Sequence, residues 1–222
     1  MKFLYIIVAA CLGLFETSHC QIPVRYIRAT ELAKRWDEGM PLGNGLLGAM
    51  VWNKNGNIRF ALDQAELWDE RPMKDLHGPH FSYQWVEENW KAGTYKKVQE
   101  ALDHPYDREP APTKIPGAAI ELPLSIVGVN AEVVLDLFTA SVEIKGKNGV
   151  EIKSFVDANQ QKGWIKITNL KSVFFTSLIV PPYQNKVVSV GDVVGGDDLG
   201  RLGYTKATID SGSNFKSFLQ KG

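Results

Sequence analysis

Residues 46–63 read LLGAMVWNKNGNIRFALD. Two β-prone runs, 46–52 and 58–63, flank Asn55-Gly56. Asn-Gly is well suited to a two-residue turn in which both residues take positive φ, so the segment reads as a β-hairpin. Just upstream, WDEGMPLGNGLLGAMVW (36–52) holds glycines at 39, 43, 45 and 48. Glycine gives up more backbone freedom on folding than any other residue, so such a cluster marks a place where the chain must turn tightly or pack close to a neighbour.

Downstream the period changes. In YQWVEENWKAGTYKKVQEAL (83–102), Trp85, Val86, Trp90, Val98 and Leu102 form an apolar set at helical spacing. Gly93-Thr94 is expected to split it into two helices, with Thr94 as the N-cap of the second and Trp85 and Trp90 turned to the core. Pro105, Pro110, Pro112 and Pro116 then predict an extended connection, with His104 in a loop.

From Gly117 onward short β-prone runs return: AAIELPLSI, AEVVLDLFTA, SVEIKGKNGVEIKSFVDA, GWIKIT and VFFTSLIV. A second Asn-Gly, Asn148-Gly149, lies inside the third run. VEIKS and WIKIT alternate apolar and polar residues, as strands with one wet face do; VFFTSLIV is apolar on both phases and is expected to lie inside. The fold class expected is mainly β, an antiparallel β-sandwich with a short helical insertion.

Composition is that of a globular chain: 222 residues, 44% hydrophobic, 23% charged, formal net charge zero. No block of basic residues offers a surface for nucleic acid or anionic lipid. FLYIIVAACLGLF (3–15) is uncharged, too short to span a bilayer and right for the core of a secretory signal ending at Cys20. Residues 1–20 are therefore read as a signal peptide and 21–222 as one domain, secreted or periplasmic. Both cysteines, Cys11 and Cys20, fall in that leader, so the mature chain would hold no disulfide, which suits a bacterial protein. Lipidation of Cys20 is the rival reading of the same leader.

Catalytic signatures are sparse. The histidines of HGPH, His77 and His80, are broken by Gly78-Pro79 and have no third ligand nearby, so no metal is expected. Asp63, Glu66, Asp69 and Glu70 crowd one turn, whereas glycoside hydrolysis needs two carboxylates facing each other across a bond. The simpler reading is a solvated turn in which Asp69 or Glu70 pairs with Arg71. GNGLLG precedes a strand instead of following one, and so fails as a dinucleotide loop. VGDVVGGDDLG (190–200) lacks the spacing of a calcium loop. No cofactor is expected. Five of the six tryptophans, Trp36, Trp52, Trp68, Trp85 and Trp90, fall within 36–90. Indole rings serve equally as core and as platforms for sugar faces. Trp68, followed by the polar DERP, is the one best placed to reach a groove.

MPLGNGLLGAMVW, the hairpin and IRFALDQAELW together resemble the start of the secreted exo-glycosidases grouped as glycoside hydrolase family 95, the α-L-fucosidase type, whose members open with PLGNGRLGAMVFG…IQLNEDTLWSGGP. Pro41, Leu42, Gly43, Asn44, Gly45, Leu47, Gly48, Ala49, Met50 and Val51 match, as do Leu62, Leu67, Trp68 and Pro72. The resemblance implies an N-terminal β-sandwich that braces an inverting catalytic helical barrel acting on terminal glycan sugars. The family's NEDT is replaced by Asp63-Gln64-Ala65-Glu66. No catalytic residue carries over, and the chain is expected to be the first part of such an enzyme, truncated inside the sandwich before the barrel. Trp68, Asp69, Arg71 and His80 are the candidate carbohydrate-binding residues, because they follow the family-like Leu67-Trp68 in a polar segment. A stand-alone carbohydrate-binding module and a non-functional gene fragment are the alternatives.

Overall fold

The computed structural model describes residues 25–72, 78–108, 113–115, 117–171, 176–180 and 202–220. The leader, His77, the prolines at 110, 112 and 116, and the 190–200 loop lie outside these residues. The strands are β1 (Tyr26–Ala29), β2 (Met40–Gly43), β3 (Leu47–Lys54), β4 (Asn57–Gln64) and β5 (Trp68–Asp69). Two helices follow, α1 (Tyr83–Lys91) and α2 (Tyr95–Arg108), and then β6 (Thr113–Lys114), β7 (Ala119–Pro123), β8 (Glu132–Asp136) and β9 (Ser141–Lys145). The last strands are β10 (Glu151–Val156), β11 (Gly163–Thr168), β12 (Ser177–Ile179), β13 (Thr208–Ser211) and β14 (Lys216–Leu219).

Two five-stranded sheets form the body, one in the order β1-β8-β9-β10-β11 and the other β12-β7-β4-β3-β2. Every pairing in them is antiparallel. Alternate residues from both sheets meet in one core: Val133, Leu135, Val142, Ile144 and Ile152 from the first; Leu42, Val51, Ile58, Phe60 and Leu122 from the second. Burying each such side chain contributes about 1.5–3 kcal/mol. The result is the expected mainly β sandwich.

The 46–63 hairpin forms, from Lys54↔Asn57 at the turn to Leu47↔Gln64. Asn55 (φ 51°) and Gly56 (φ 82°) supply the two positive φ values that a primed turn demands. Asn148-Gly149 also makes a hairpin, but of another kind. Gly146 N–H donates to Val150 O, Gly149 N–H donates to Gly146 O, and only Gly149 (φ 85°) has positive φ. The loop therefore has three residues with glycine in the left-handed position.

The glycine cluster holds a strand as well as a turn. Met40–Gly43 pairs with β3 as an edge strand, and Asn44-Gly45-Leu46 (Gly45 φ 91°) reverses the chain. Asn44 Oδ1 accepts the backbone N–H groups of Leu46 and Leu47, each at 2.9 Å. Its Nδ2 donates to the carbonyls of Asp157 (2.8 Å) and Gln160 (3.0 Å), in the loop after β10 of the opposite sheet.

Gly93 (φ 69°) separates α1 from α2. Gly93 N–H bonds to Trp90 O and Thr94 N–H to Asn89 O, a Schellman ending for α1. Thr94 occupies the expected capping position, but its hydroxyl donates back to Asn89 Oδ1 at 2.9 Å, reinforcing the end of α1 instead. Ser82 caps α1, accepting from Trp85 N–H at 3.2 Å.

Three expectations need correction. Pro105 lies inside α2, not in an extended connection, and His104 is helical with it. A proline removes one N–H and crowds the preceding turn, and here the helix runs past that local loss. Trp90 is 68% exposed and so is not core; Val98, fully buried, is the α2 residue that fills that role. In VFFTSLIV the described Ser177–Ile179 form the edge strand β12, exposed or half-buried, because only β7 pairs with them. Further along the chain, β13 and β14 pair with each other as a separate two-stranded sheet.

On the outer face of the second sheet, Arg59 and Glu121 sit opposite each other on β4 and β7 and form an ion pair at 2.6 Å. Their side chains are 16% and 12% exposed, beside buried Trp52 on β3. This face is covered, whereas the outer face of the first sheet carries exposed Lys153, Phe155, Trp164 and Lys166. Among the described residues no helix is long and apolar enough to cross a membrane.

Candidate functional site

β4 leads directly into the candidate site. After Gln64 the chain turns, Ala65 N–H bonding to Leu46 O and Leu67 N–H to Gln64 O, and emerges as the two-residue strand β5. Trp68 lies opposite Lys114 and Asp69 opposite Thr113 on β6. Lys114 binds the turn into place: its Nζ donates to Gln64 O (2.6 Å) and Leu67 O (3.2 Å) and pairs with Asp63 Oδ1 (2.7 Å). The same ammonium lies 5.7 Å from the centre of the Trp68 ring, within cation–π range. Beneath the ladder, Ile115 and Ala207 form a small second core with Leu67, Val180, Leu202, Tyr204 and Phe218.

Above that core is an open depression of about 490 Å³, lined by Trp68, Asp69, Glu70, Arg71, Leu202, Gly203 and Tyr204. Trp68 is half exposed, whereas Asp69 is buried, its side chain 3% exposed. A carboxylate taken out of water must be paired. Arg71 does this in fork geometry, Nε at 2.9 and 3.0 Å and Nη2 at 2.5 Å, and its backbone N–H adds a bond at 3.1 Å. The Tyr204 hydroxyl donates to the same carboxylate, and the Arg71 guanidinium lies 5.8 Å from the Tyr204 ring.

The electrostatics follow from this arrangement. The Arg71 hydrogen bonds outweigh burial and hold Asp69 at about 2, well below the usual carboxylate range. Burial, and then the hydrogen bond to Asp69, pushes the Tyr204 hydroxyl up. Asp69 is thus ionised at neutral pH and saturated by Arg71 and Tyr204, a poor general acid. What remains open to a ligand is the Trp68 ring, the Glu70 carboxylate, and the part of the half-exposed Arg71 guanidinium turned away from Asp69. A flat apolar ring flanked by one acceptor and one donor matches a sugar, which shows an apolar C–H face and hydroxyls at its edge.

Of the four candidate residues, the structure brings Trp68, Asp69 and Arg71 together. His80 is not part of the depression; it is exposed, and its ring tilts against Trp85 with centroids 5.7 Å apart. The expected Asp69–Arg71 pair forms, but Asp69 is buried and not solvated. Tyr204 was missed, and no local signal points to it: it joins the site across more than a hundred residues of sequence. Among the described residues no group of three or more His, Cys, Asp and Glu could hold a metal ion.

Comparison with curated proteins gives no match. The family described as Glycosyl hydrolase family 65, N-terminal domain, matches residues 27–106. That stretch runs from β1 through the hairpin, Trp68, Asp69 and Arg71 to the second helix. The match and the mainly β architecture agree: residues 27–106 are similar to a glycoside hydrolase N-terminal domain.

Proposed function

We propose that the chain is the non-catalytic N-terminal module of an exported glycoside hydrolase that removes terminal sugars from glycans, of the α-L-fucosidase type grouped as family 95. The family match over residues 27–106 carries this reading as far as a glycosidase module. The finer assignment rests on the Pro41–Val51 motif and on Leu67-Trp68 and Pro72, and the bacterial, secreted or periplasmic setting on the apolar leader of residues 1–20. Hydrolysis is assigned to a helical barrel outside this chain. Trp68 and Arg71 form part of the rim that receives the glycan, and Asp69 fixes the guanidinium; His80 has no part in it.

The test is turnover by the whole gene product on aryl α-L-fucoside against aryl α-glucoside and β-galactoside. Selective fucoside hydrolysis, with KM raised about tenfold by Trp68→Ala at near-constant kcat, is the expected outcome, since losing a stacked aromatic costs about 1–1.5 kcal/mol. Turnover of the glucoside alone would overturn the fucosidase assignment, and an unchanged KM would remove the rim. A stand-alone carbohydrate-binding module is the second reading, favoured by the half-exposed Trp68. It predicts glycan binding with no turnover of any aryl glycoside.

A further inference from the structure

We propose that the first sheet carries a second carbohydrate-binding site, built on Phe155 and Trp164 and separate from the Trp68 depression. In β10, Ile152 and Ser154 are each 1% exposed and face the core, so Phe155 projects to the opposite, outer face. Trp164 lies directly opposite it on β11, on the same face. The two rings are 38% and 54% exposed. Direct cross-strand partners stand about 4.5–5.5 Å apart at Cβ, so the two aromatic side chains rise from neighbouring points of the same face.

At the end of β10 this surface runs into an open depression of about 530 Å³, lined by Asn44, Thr139, Ala140, Phe155, Asp157 and Asn159 among others. Three loops meet there, and each is pinned. Asn44 holds the carbonyls of Asp157 and Gln160. Asp157 Oδ1 accepts the N–H groups of Asn159 (2.9 Å) and Gln160 (3.1 Å). Asp136 Oδ1 accepts those of Phe138 (2.9 Å) and Thr139 (3.4 Å). Ala140, a residue with a Cβ, is held at φ 49° on the wall of the depression. Backbone held off its preferred conformation recurs at ligand clamps, and a concavity fixed in advance loses little entropy on binding.

The chemistry selects the ligand class. The lining holds one carboxylate, Asp157, and no lysine or arginine, which disfavours phosphates, nucleic acids and acidic peptides. Outside the depression, Lys153, held by Glu143 at 2.8 Å, and Lys166, opposite it on β11, share the face of the aromatic pair. An aromatic floor beside amide, hydroxyl and carboxylate groups suits an uncharged polyol, and the volume accommodates more than one sugar residue. The ligand is a neutral oligosaccharide or polysaccharide. No residue is shared with the Trp68 depression, so the two sites stand or fall separately.

Affinity electrophoresis of the full chain in gels containing xyloglucan, galactomannan, amylopectin or alginate tests this. Retardation by at least one neutral polymer is expected, weakened at least tenfold by Trp164→Ala, weakened about threefold by Asn159→Ala, largely kept in Trp164→Tyr, and unchanged in Trp90→Ser, an exposed tryptophan outside both depressions. Asn159 lies in an exposed loop, so its variant still reports should Trp164→Ala fail to fold. No retardation by any neutral polymer, retardation by alginate alone, or retardation abolished by Trp68→Ala and kept in Trp164→Ala would each overturn the proposal. Failure of the aryl fucoside assay leaves it untouched.

Discussion

Asn44 Nδ2 donates to the carbonyl of Asp157 at 2.8 Å, joining the edge of one sheet to a hairpin loop of the other across 113 positions of sequence. The same side chain accepts two backbone N–H groups of its own turn. One amide thus closes the PLGNG turn and staples the sandwich.

Because both ends of that amide are used, its two isosteric losses differ. Asn44→Ala removes all four bonds and is expected to cost about 2–3 kcal/mol in urea unfolding. Asn44→Asp keeps the acceptor but turns a second oxygen toward the carbonyls of Asp157 and Gln160, and should cost at least as much above pH 5. An Asp variant as stable as the wild type would show that the staple does not form.

Acid sensitivity should be traceable to Asp69. Its folded value of about 2 lies below the ordinary 3.8, so its contribution is present in full above pH 4–5, declines as pH falls from about 4 to about 2, and is gone below that. The contribution is about 1–2 kcal/mol, reduced from the full shift because Arg71 is half exposed to solvent. Denaturation midpoints of wild type and Asp69→Asn should differ at pH 6 and converge by pH 2. A gap that persists unchanged at pH 2 would assign the loss to packing.

The helices hold by Val98 and not by Trp90. Val98→Ala, at a fully buried position, is expected to cost about 1–3 kcal/mol. Trp90→Ser, two-thirds exposed, should stay within about 0.5 kcal/mol of wild type. Equal effects from the two would reverse this ranking.

Gly117 marks a close approach of backbone to backbone. A Cβ built there falls 2.2 Å from Leu62 O and 2.9 Å from Leu62 C, on a strand already bonded through Leu62 N–H to Ala118 O. A clash with main chain cannot be relieved by a rotamer change, so Gly117→Ala should cost about 2–3 kcal/mol. Gly48→Ala serves as the control, because its added Cβ meets only Leu42 O at 3.6 Å. A calorimetric scan of both variants checks the contrast.

Local rules carried most of the fold. Asn55-Gly56 defines its turn within four residues, and alternation places Ile144, Ile152 and Ile165 on one side without tertiary information. Gly93 is legible for the same reason. β1 and β2 are not, since YIRA and MPLG lack alternation and become strands only because β8 and β3 offer them open edges. Pro105 misleads because one lost hydrogen bond is a small local penalty that the rest of a 14-residue helix outweighs. At the site, Trp68, Asp69 and Arg71 are visible because they are neighbours in sequence. Tyr204 is invisible because its partnership is purely spatial. His80 is near them only along the chain; it does not line the depression, and its ring tilts against Trp85.

The partnership of Asp69 with Tyr204 also orders events during synthesis. The ribosome releases Asp69 and Arg71 more than a hundred residues before Tyr204, on the order of ten seconds at ~5–20 residues per second. Through that interval the first sandwich strands can pair, while the Asp69 carboxylate has its arginine but neither the tyrosine nor Leu202 and Phe218 to close it in. The ligand-facing depression is therefore completed later than the sandwich strands beside it, and a ribosome stalled before residue 204 would display those strands without a site.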